Sequence, residues 1–192
     1  MTRSERPAED LQLAELVRVT YNSLVDYAPG PSSRWLFVDT AGQLIFLVRE
    51  STILSRWSVS TAEVGLDNRE SSGGTPPGVH RVAQKIGSGA PAGTVFESRK
   101  PTGETWQPTW NDDPDLRVRD LILSRILILD GLEPGLNQGS GIDTRKRYIY
   151  IHGTNHEDLI GRPAGGGCVR MGNRNIIDLF DQIEEGDLLV IV

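Results

Sequence analysis

The sequence predicts a mostly β domain, a sandwich or barrel with a few short helices, preceded by an N-terminal amphipathic helix. Two observations predict it: short β-prone runs recur from Trp35 to Val192, and Gly- and Pro-rich turns separate them. Composition supplies a third. With 38% hydrophobic and 24% charged residues and four Trp in 192 residues, the chain is of the ordinary globular kind. That length corresponds to one domain with a small appendage, able to bury about 70% of its unfolded surface.

The elements follow in order. From Leu11 to Val25, the residues Leu13, Leu16, Val17, Tyr21 and Leu24 recur at helical spacing, and Pro29-Gly30-Pro31 ends the run. This divides the chain into a helix and Pro/Gly linker over residues 1–31 and a main domain over 32–192. Trp35 to Val38 and Leu44 to Val48 flank Asp39-Thr40-Ala41-Gly42, which reads as a hairpin. Arg56 to Ser60 is a third strand, and Val79 to Ile86, Ile126 to Leu129, Tyr148 to His152 and Leu188 to Val192 are others. Asn175 to Ile183 is a late helix, with Ile176, Ile177, Leu179, Phe180 and Ile183 on one face. Lys100 to Arg119 holds two Trp and three Pro and reads as a long loop over a pocket or edge. Its Trp106 and Trp110 either line that pocket or tuck into the core. Its Asn111-Asp112-Asp113 cluster lacks the ordered ligand spacing of a calcium loop.

Charge excludes some partners. Twenty Lys and Arg against 26 Asp and Glu give a net charge of −6, with Arg145-Lys146-Arg147 the one basic run. Neither nucleic acid nor a membrane is expected as the main partner. A single cysteine, Cys168, excludes an internal disulfide. The longest apolar stretch, Leu121 to Leu129, is nine residues interrupted by Ser124 and Arg125, against roughly 20 needed to span a bilayer. Met1 to Ala14 carries acids and arginines and no signal-type apolar core, so a soluble, cytoplasmic protein is expected.

Chemistry concentrates around Gly165-Gly166-Gly167-Cys168-Val169-Arg170-Met171. Three glycines let a ligand approach the backbone and leave amide N–H groups to point at it. A helical turn starting near the thiol would lower its pKa from about 8.5 toward neutrality. Tyr148 to Ile151 is a strand with His152 at its end, followed by Gly153-Thr154. A histidine there, facing a cysteine on a glycine turn, has the parts of a thiolate–imidazole pair. Duller readings stand beside this one. A lone cysteine is most often a small buried hydrophobe. His152, His156 and Cys168 have zinc-like types, but a His-x3-His pair needs a helix and Gly153-Thr154-Asn155 is a poor one. No metal or cofactor is expected. His80, after Thr75-Pro76-Pro77-Gly78, reads as a packed or surface residue.

Taken together, several segments resemble the L,D-transpeptidase catalytic domain, the YkuD-type fold. They are Val59-Ser60-Thr61, Thr75-Pro76-Pro77-Gly78, Gly131-Leu132-Glu133-Pro134-Gly135, Arg147 to Thr154 and Gly167 to Met171, in that order over about Trp35 to Val192. The resemblance implies a YkuD-like β-sandwich or barrel with a cysteine nucleophile. It also implies cleavage between the L-centre of a diamino acid and the terminal D-alanine of a peptidoglycan tetrapeptide stem. Cys168 falls on the nucleophile and His152 on the base, 16 positions earlier. The Gly153 carbonyl would orient the imidazole, and the N–H groups of Gly167 and Cys168 would receive the oxyanion. Arg170 is expected to hold the D-alanine carboxylate, with Arg147 and His80 as other candidates. Gly166, Trp106 and Trp110 are expected near the substrate.

One departure stands out. The family usually has Ser or Thr followed by His before the Gly-Cys pair, and here those positions are Gly165 and Gly166. With a cytoplasmic setting, water is the abundant acceptor. The expected function is therefore an L,D-carboxypeptidase trimming tetrapeptide to tripeptide in peptidoglycan recycling, acting on a tetrapeptide or muropeptide. The alternatives are an L,D-transpeptidase that cross-links or exchanges D-amino acids, and a non-catalytic muropeptide-binding protein. The family resemblance also implies a carbapenem adduct on Cys168.

Overall fold

A computed structural model of the protein describes residues 6–27, 34–114 and 118–192. Pro29-Gly30-Pro31 lies outside the described residues. Helix α1 spans Arg6–Ser23 and runs into a 3-10 turn at Leu24–Asp26. The strands are β1 (Arg34–Asp39), β2 (Leu44–Arg49), β3 (Thr52–Ser60), β4 (Gly78–Ile86), β5 (Thr94–Glu97), β6 (Lys100–Thr105), β7 (Ile122–Gly131), β8 (Tyr150–Gly153), β9 (Val169–Met171) and β10 (Leu188–Ile191). Helix α2, Asn173–Gln182, lies between the last two strands.

The strands form one sheet in the order β4-β10-β1-β2-β3-β9-β8-β7-β5-β6, and β4 also pairs with β7. That last pairing closes a barrel, from which the β5–β6 hairpin projects. Pairing is antiparallel except at β1–β10 and β8–β9. The expected β1–β2 hairpin is present, and Asp39 Oδ1 closes its turn by accepting from the N–H groups of Ala41 and Gly42, both at 3.0 Å.

Alternation sorts the side chains into two cores. Leu36, Val38, Ile45 and Leu47 point inward with Leu127, Leu129, Ile151 and Val169, and α2 adds Ile176, Leu179 and Phe180. Trp35, Phe37, Phe46 and Val48 point outward, where Val17 of α1 and Leu24 cover them. Both faces of β1 and β2 are therefore buried, and their sequences read as unbroken apolar runs. The contact of α1 runs through Leu13, Val17 and Tyr21, and Leu24 of the following 3-10 turn extends it. Leu16, expected on the same stripe, is 43% exposed because it lies about 100° around the helix from Val17. Leu24 fills its site completely, and Leu24→Ala is expected to cost roughly 2–5 kcal/mol, read from the urea unfolding midpoint.

Three expectations need correction. The third strand starts at Thr52, earlier than Arg56. The segment from Lys100 to Arg119 is not one long loop: it holds β6 and a 3-10 turn at Pro108–Asp112. Every β6 residue is exposed, so no apolar alternation marked the strand. Tyr148 does not begin a strand; it has φ +58° and is 62% exposed, and β8 starts at Tyr150. No described helix is long and apolar enough to cross a membrane.

Candidate active site

The strands β8 and β9 build the site by register alone. Ile151 lies beside Val169 and His152 beside Arg170, in parallel. Ile151 and Val169 point into the barrel core. By alternation, His152, Cys168 and Arg170 then share the opposite side of the sheet. There, Asp120, Ile122, His152, Gly166, Cys168 and Arg170 line a cleft of about 140 Å³.

The Cys168 side chain is half-buried. Its Sγ accepts from the Tyr150 N–H at 3.3 Å and donates to the Tyr148 carbonyl at 3.5 Å. Burial pushes the thiol up to about 11; the Tyr150 N–H opposes the rise and the Asp120 charge adds to it. No helical turn starts at the thiol, because Cys168 leads straight into β9. The dipole expected to lower its pKa is therefore missing, and the resting group is a neutral thiol. Its alkylation rate is expected to rise about tenfold per pH unit between roughly pH 7 and 10, following the thiolate fraction. A rate already flat from neutral pH would reveal a preformed ion pair instead; iodoacetamide labelling followed by mass spectrometry distinguishes the two.

His152 is 3% exposed, and its Nδ1 lies 2.8 Å from the Gly153 carbonyl oxygen. Burial lowers its pKa, outweighing that contact. A neutral ring with Nδ1–H donating to the carbonyl leaves the Nε2 lone pair free to accept a proton. Gly153 has no room for a side chain: a Cβ would stand 2.6 Å from Asn173 Oδ1 and 2.7 Å from the Leu123 carbonyl.

The glycines before Cys168 do three different jobs. Gly167 has φ +125°, which favours glycine, and its carbonyl accepts from Thr75 Oγ1 at 2.9 Å. Because the peptide is trans and planar, tying that carbonyl to Thr75 turns the Cys168 N–H the opposite way. Gly165 makes room for the Arg170 guanidinium, whose Nε would lie 3.2 Å from a Cβ there. At Gly166 a Cβ would meet nothing within 4 Å, so the cleft is open at this point.

Arg170 is 4% exposed; its Nη1 donates to Asp120 Oδ1 at 3.2 Å and its Nη2 to the Ala164 carbonyl, while Nε is buried without a partner. Arg147 spends its donors elsewhere, on the carbonyls of Asp67 and Gly74 at 3.1 and 2.7 Å. It braces the segment behind Gly167. His80 is not brought to the cleft: it is fully buried, with Nδ1 on the Gly78 carbonyl at 2.9 Å and Nε2 on Thr144 Oγ1 at 3.1 Å. Burial pushes it down to about 4, so the ring is a neutral part of the fold. Trp106 and Trp110 are not brought there either, since they pack on Val95, Leu121 and Leu123. Trp106 instead lines a separate cavity of about 440 Å³ with Glu157 and Asn173.

Sequence reasoning missed Asp120, Ile122 and Asn155. Asn155 is 1% exposed and clamps the chain beside the cleft, its Nδ2 donating to the Arg119 carbonyl at 2.9 Å and its Oδ1 accepting from the Leu121 N–H at 3.0 Å. Asp120 ends an irregular stretch without a pattern, so no local signal marked it.

A thiol and a neutral imidazole line one cleft of a closed β barrel, residue types that cysteine acyl-transfer enzymes use as nucleophile and base. The chain belongs to the YkuD family, the L,D-transpeptidase catalytic domain, whose family model matches residues 33–192. YqjB of Bacillus subtilis, whose name assigns it to that family, is 40% identical over 48 residues, 25% of this chain and 27% of the relative. YkuD of Bacillus licheniformis is 39% identical over 41 residues, 21% of this chain and 25% of the relative. These alignments thus span about a quarter of each relative. Among solved structures, the L,D-transpeptidase LdtMt1 in complex with imipenem is 16% identical, covering 83% of this chain and 59% of that one at a TM-score of 0.49.

Proposed function

We propose that the protein is a cysteine-dependent L,D-carboxypeptidase that removes the terminal D-alanine from peptidoglycan tetrapeptide stems in cytoplasmic recycling. The observation that carries hydrolysis, over transfer to an amine, is the open space at Gly166 beside the thiol. Among the described residues nothing stands within 4 Å of a Cβ built at Gly166, which leaves room for water on that side of the acyl group.

In this reading His152 Nε2 takes the Sγ proton as sulfur attacks the carbonyl at the L-centre of the diamino acid. The N–H groups of Gly167 and Cys168 receive the oxyanion. The C–N bond breaks, and D-alanine leaves with the proton that His152 returns. Water, deprotonated by the same imidazole, then cleaves the thioester and frees the tripeptide. Arg170, expected to hold the carboxylate of the leaving D-alanine, is 4% exposed with Nη1 on Asp120 and Nη2 on the Ala164 carbonyl, so it supports the wall of the cleft instead. Imipenem, the ligand of LdtMt1 in its complex, is expected to acylate Cys168 here as well.

The deciding experiment is mass spectrometry of a diaminopimelate-type tetrapeptide incubated with the protein and with Cys168→Ala. Tripeptide formed only by the wild type supports the reading. Cross-linked or amino-acid-exchanged products point to a transpeptidase, and unchanged tetrapeptide in both samples to a muropeptide-binding protein. Fractionation of producing cells tests the setting, with recovery among soluble proteins expected and recovery with the envelope redirecting the reading to wall cross-linking.

A further inference from the structure

Asp120 has no part in the mechanism above, yet it forms a wall of the same cleft. Its carboxylate is 52% exposed whereas its partner Arg170 is 4% exposed, so of this ion pair an arriving ligand meets the anion. One oxygen, Oδ1, is engaged by Arg170; Oδ2 has no partner among the described residues. The position is held from both sides, since Asn155 binds the backbone of Arg119 and Leu121, the two flanking residues. The Asn155 carbonyl in turn accepts from Asn111 Nδ2 at 2.8 Å. A carboxylate fixed in this way, half in solvent and next to the reacting thiol, favours a cation and repels a second carboxylate.

We propose that Asp120 is a specificity-determining residue that receives an ammonium group of the substrate. Resting on the stem-peptide reading above, this means the cleft selects stems whose diamino acid keeps its side-chain amine free. Stems in which that amine is acylated, as it is in a cross-link, are disfavoured. A charge-assisted hydrogen bond at a half-exposed site corresponds to a preference of about tenfold.

Two measurements test it. Cys168 is the one thiol, so it can be labelled with a cationic (trimethylammonioethyl) or an anionic (sulfonatoethyl) methanethiosulfonate. In each case the Cys168 sulfur attacks the sulfenyl sulfur, a disulfide forms and methanesulfinate leaves. The ratio of the two rates cancels the thiolate fraction. Asp120→Asn is expected to lower the cation-to-anion ratio about tenfold and Asp120→Glu to preserve it; an unchanged ratio in Asp120→Asn overturns the assignment, whether or not the protein cleaves peptides. Next, tetrapeptides with lysine or Nε-acetyl-lysine at the third position are bound by calorimetry to Cys168→Ala, with and without Asp120→Asn. About tenfold tighter binding of the free amine, abolished by Asp120→Asn, supports the proposal. Equal binding of the two peptides, or a preference that survives the substitution, refutes it. If the wild type cleaves neither peptide, the carboxypeptidase reading fails separately.

Discussion

His152→Asn is expected to lower tetrapeptide turnover by about 10²–10⁴-fold while leaving the barrel folded. Asparagine suits the test because its side-chain N–H can replace Nδ1–H on the Gly153 carbonyl, which sits 2.8 Å from the imidazole. Truncation to alanine would strand that buried carbonyl at about 1–3 kcal/mol, mixing a folding defect with the chemical one. What asparagine lacks is the second ring nitrogen that takes the thiol proton. The thiol itself is held up to about 11, so without a base only about one molecule in 10⁴ carries a thiolate at pH 7. Turnover measured at pH 7 and again near pH 10 gives a further check, because hydroxide partly replaces the missing base. An activity deficit that is the same at both pH values would show that His152 acts other than as a base.

The second large effect is structural. Gly153→Ala is expected to lower stability by roughly 3 kcal/mol or more, whereas Gly166→Ala leaves it within about 0.5 kcal/mol. At Gly153 the new methyl group would stand 2.7 Å from the carbonyl oxygen of Leu123, on the neighbouring strand. Backbone in a paired strand cannot yield without parting β7 from β8, which meet at Leu123 and Gly153. At Gly166 the methyl group meets nothing. Thermal or urea unfolding of both variants reads the contrast, and equal losses would mean that the β7–β8 contact relaxes more easily than its geometry implies.

The fold was legible in the sequence wherever apolar residues set a period. The β1–β2 runs, the Asp39 turn and α2 were all read from such patterns. β6 was not, since Lys100 to Thr105 offers no apolar residue to bury. For the site, Cys168 and His152 were singled out by the glycine turn and the strand end. The structure adds the reason they share a cleft, a parallel β8–β9 register that puts 168 and 152 on the same side. The thiol's resting charge was misjudged because a strand, not a helix, follows it. His80 took its packed reading and not the substrate role, and Trp106 and Trp110 took the packing alternative, because sequence does not show which face of the domain a side chain meets. Asp120 enters the cleft only through a clamp made by Asn155, a contact across more than thirty positions that no local pattern encodes.

With β4 closed onto β7, β6 is the strand at the end of the sheet and pairs on one side only, with β5. An open edge is the natural docking strip for a second copy of the chain, and the first step toward amyloid-like stacking. Here the strip reads Lys-Pro-Thr-Gly-Glu-Thr. The proline lacks a donor, the glycine at φ +92° turns the backbone out of extended pairing, and the two charges resist burial. Such a margin is expected to resist self-association, and Pro101→Val, which restores the missing donor, is expected to make the chain self-associate there, a change light scattering detects.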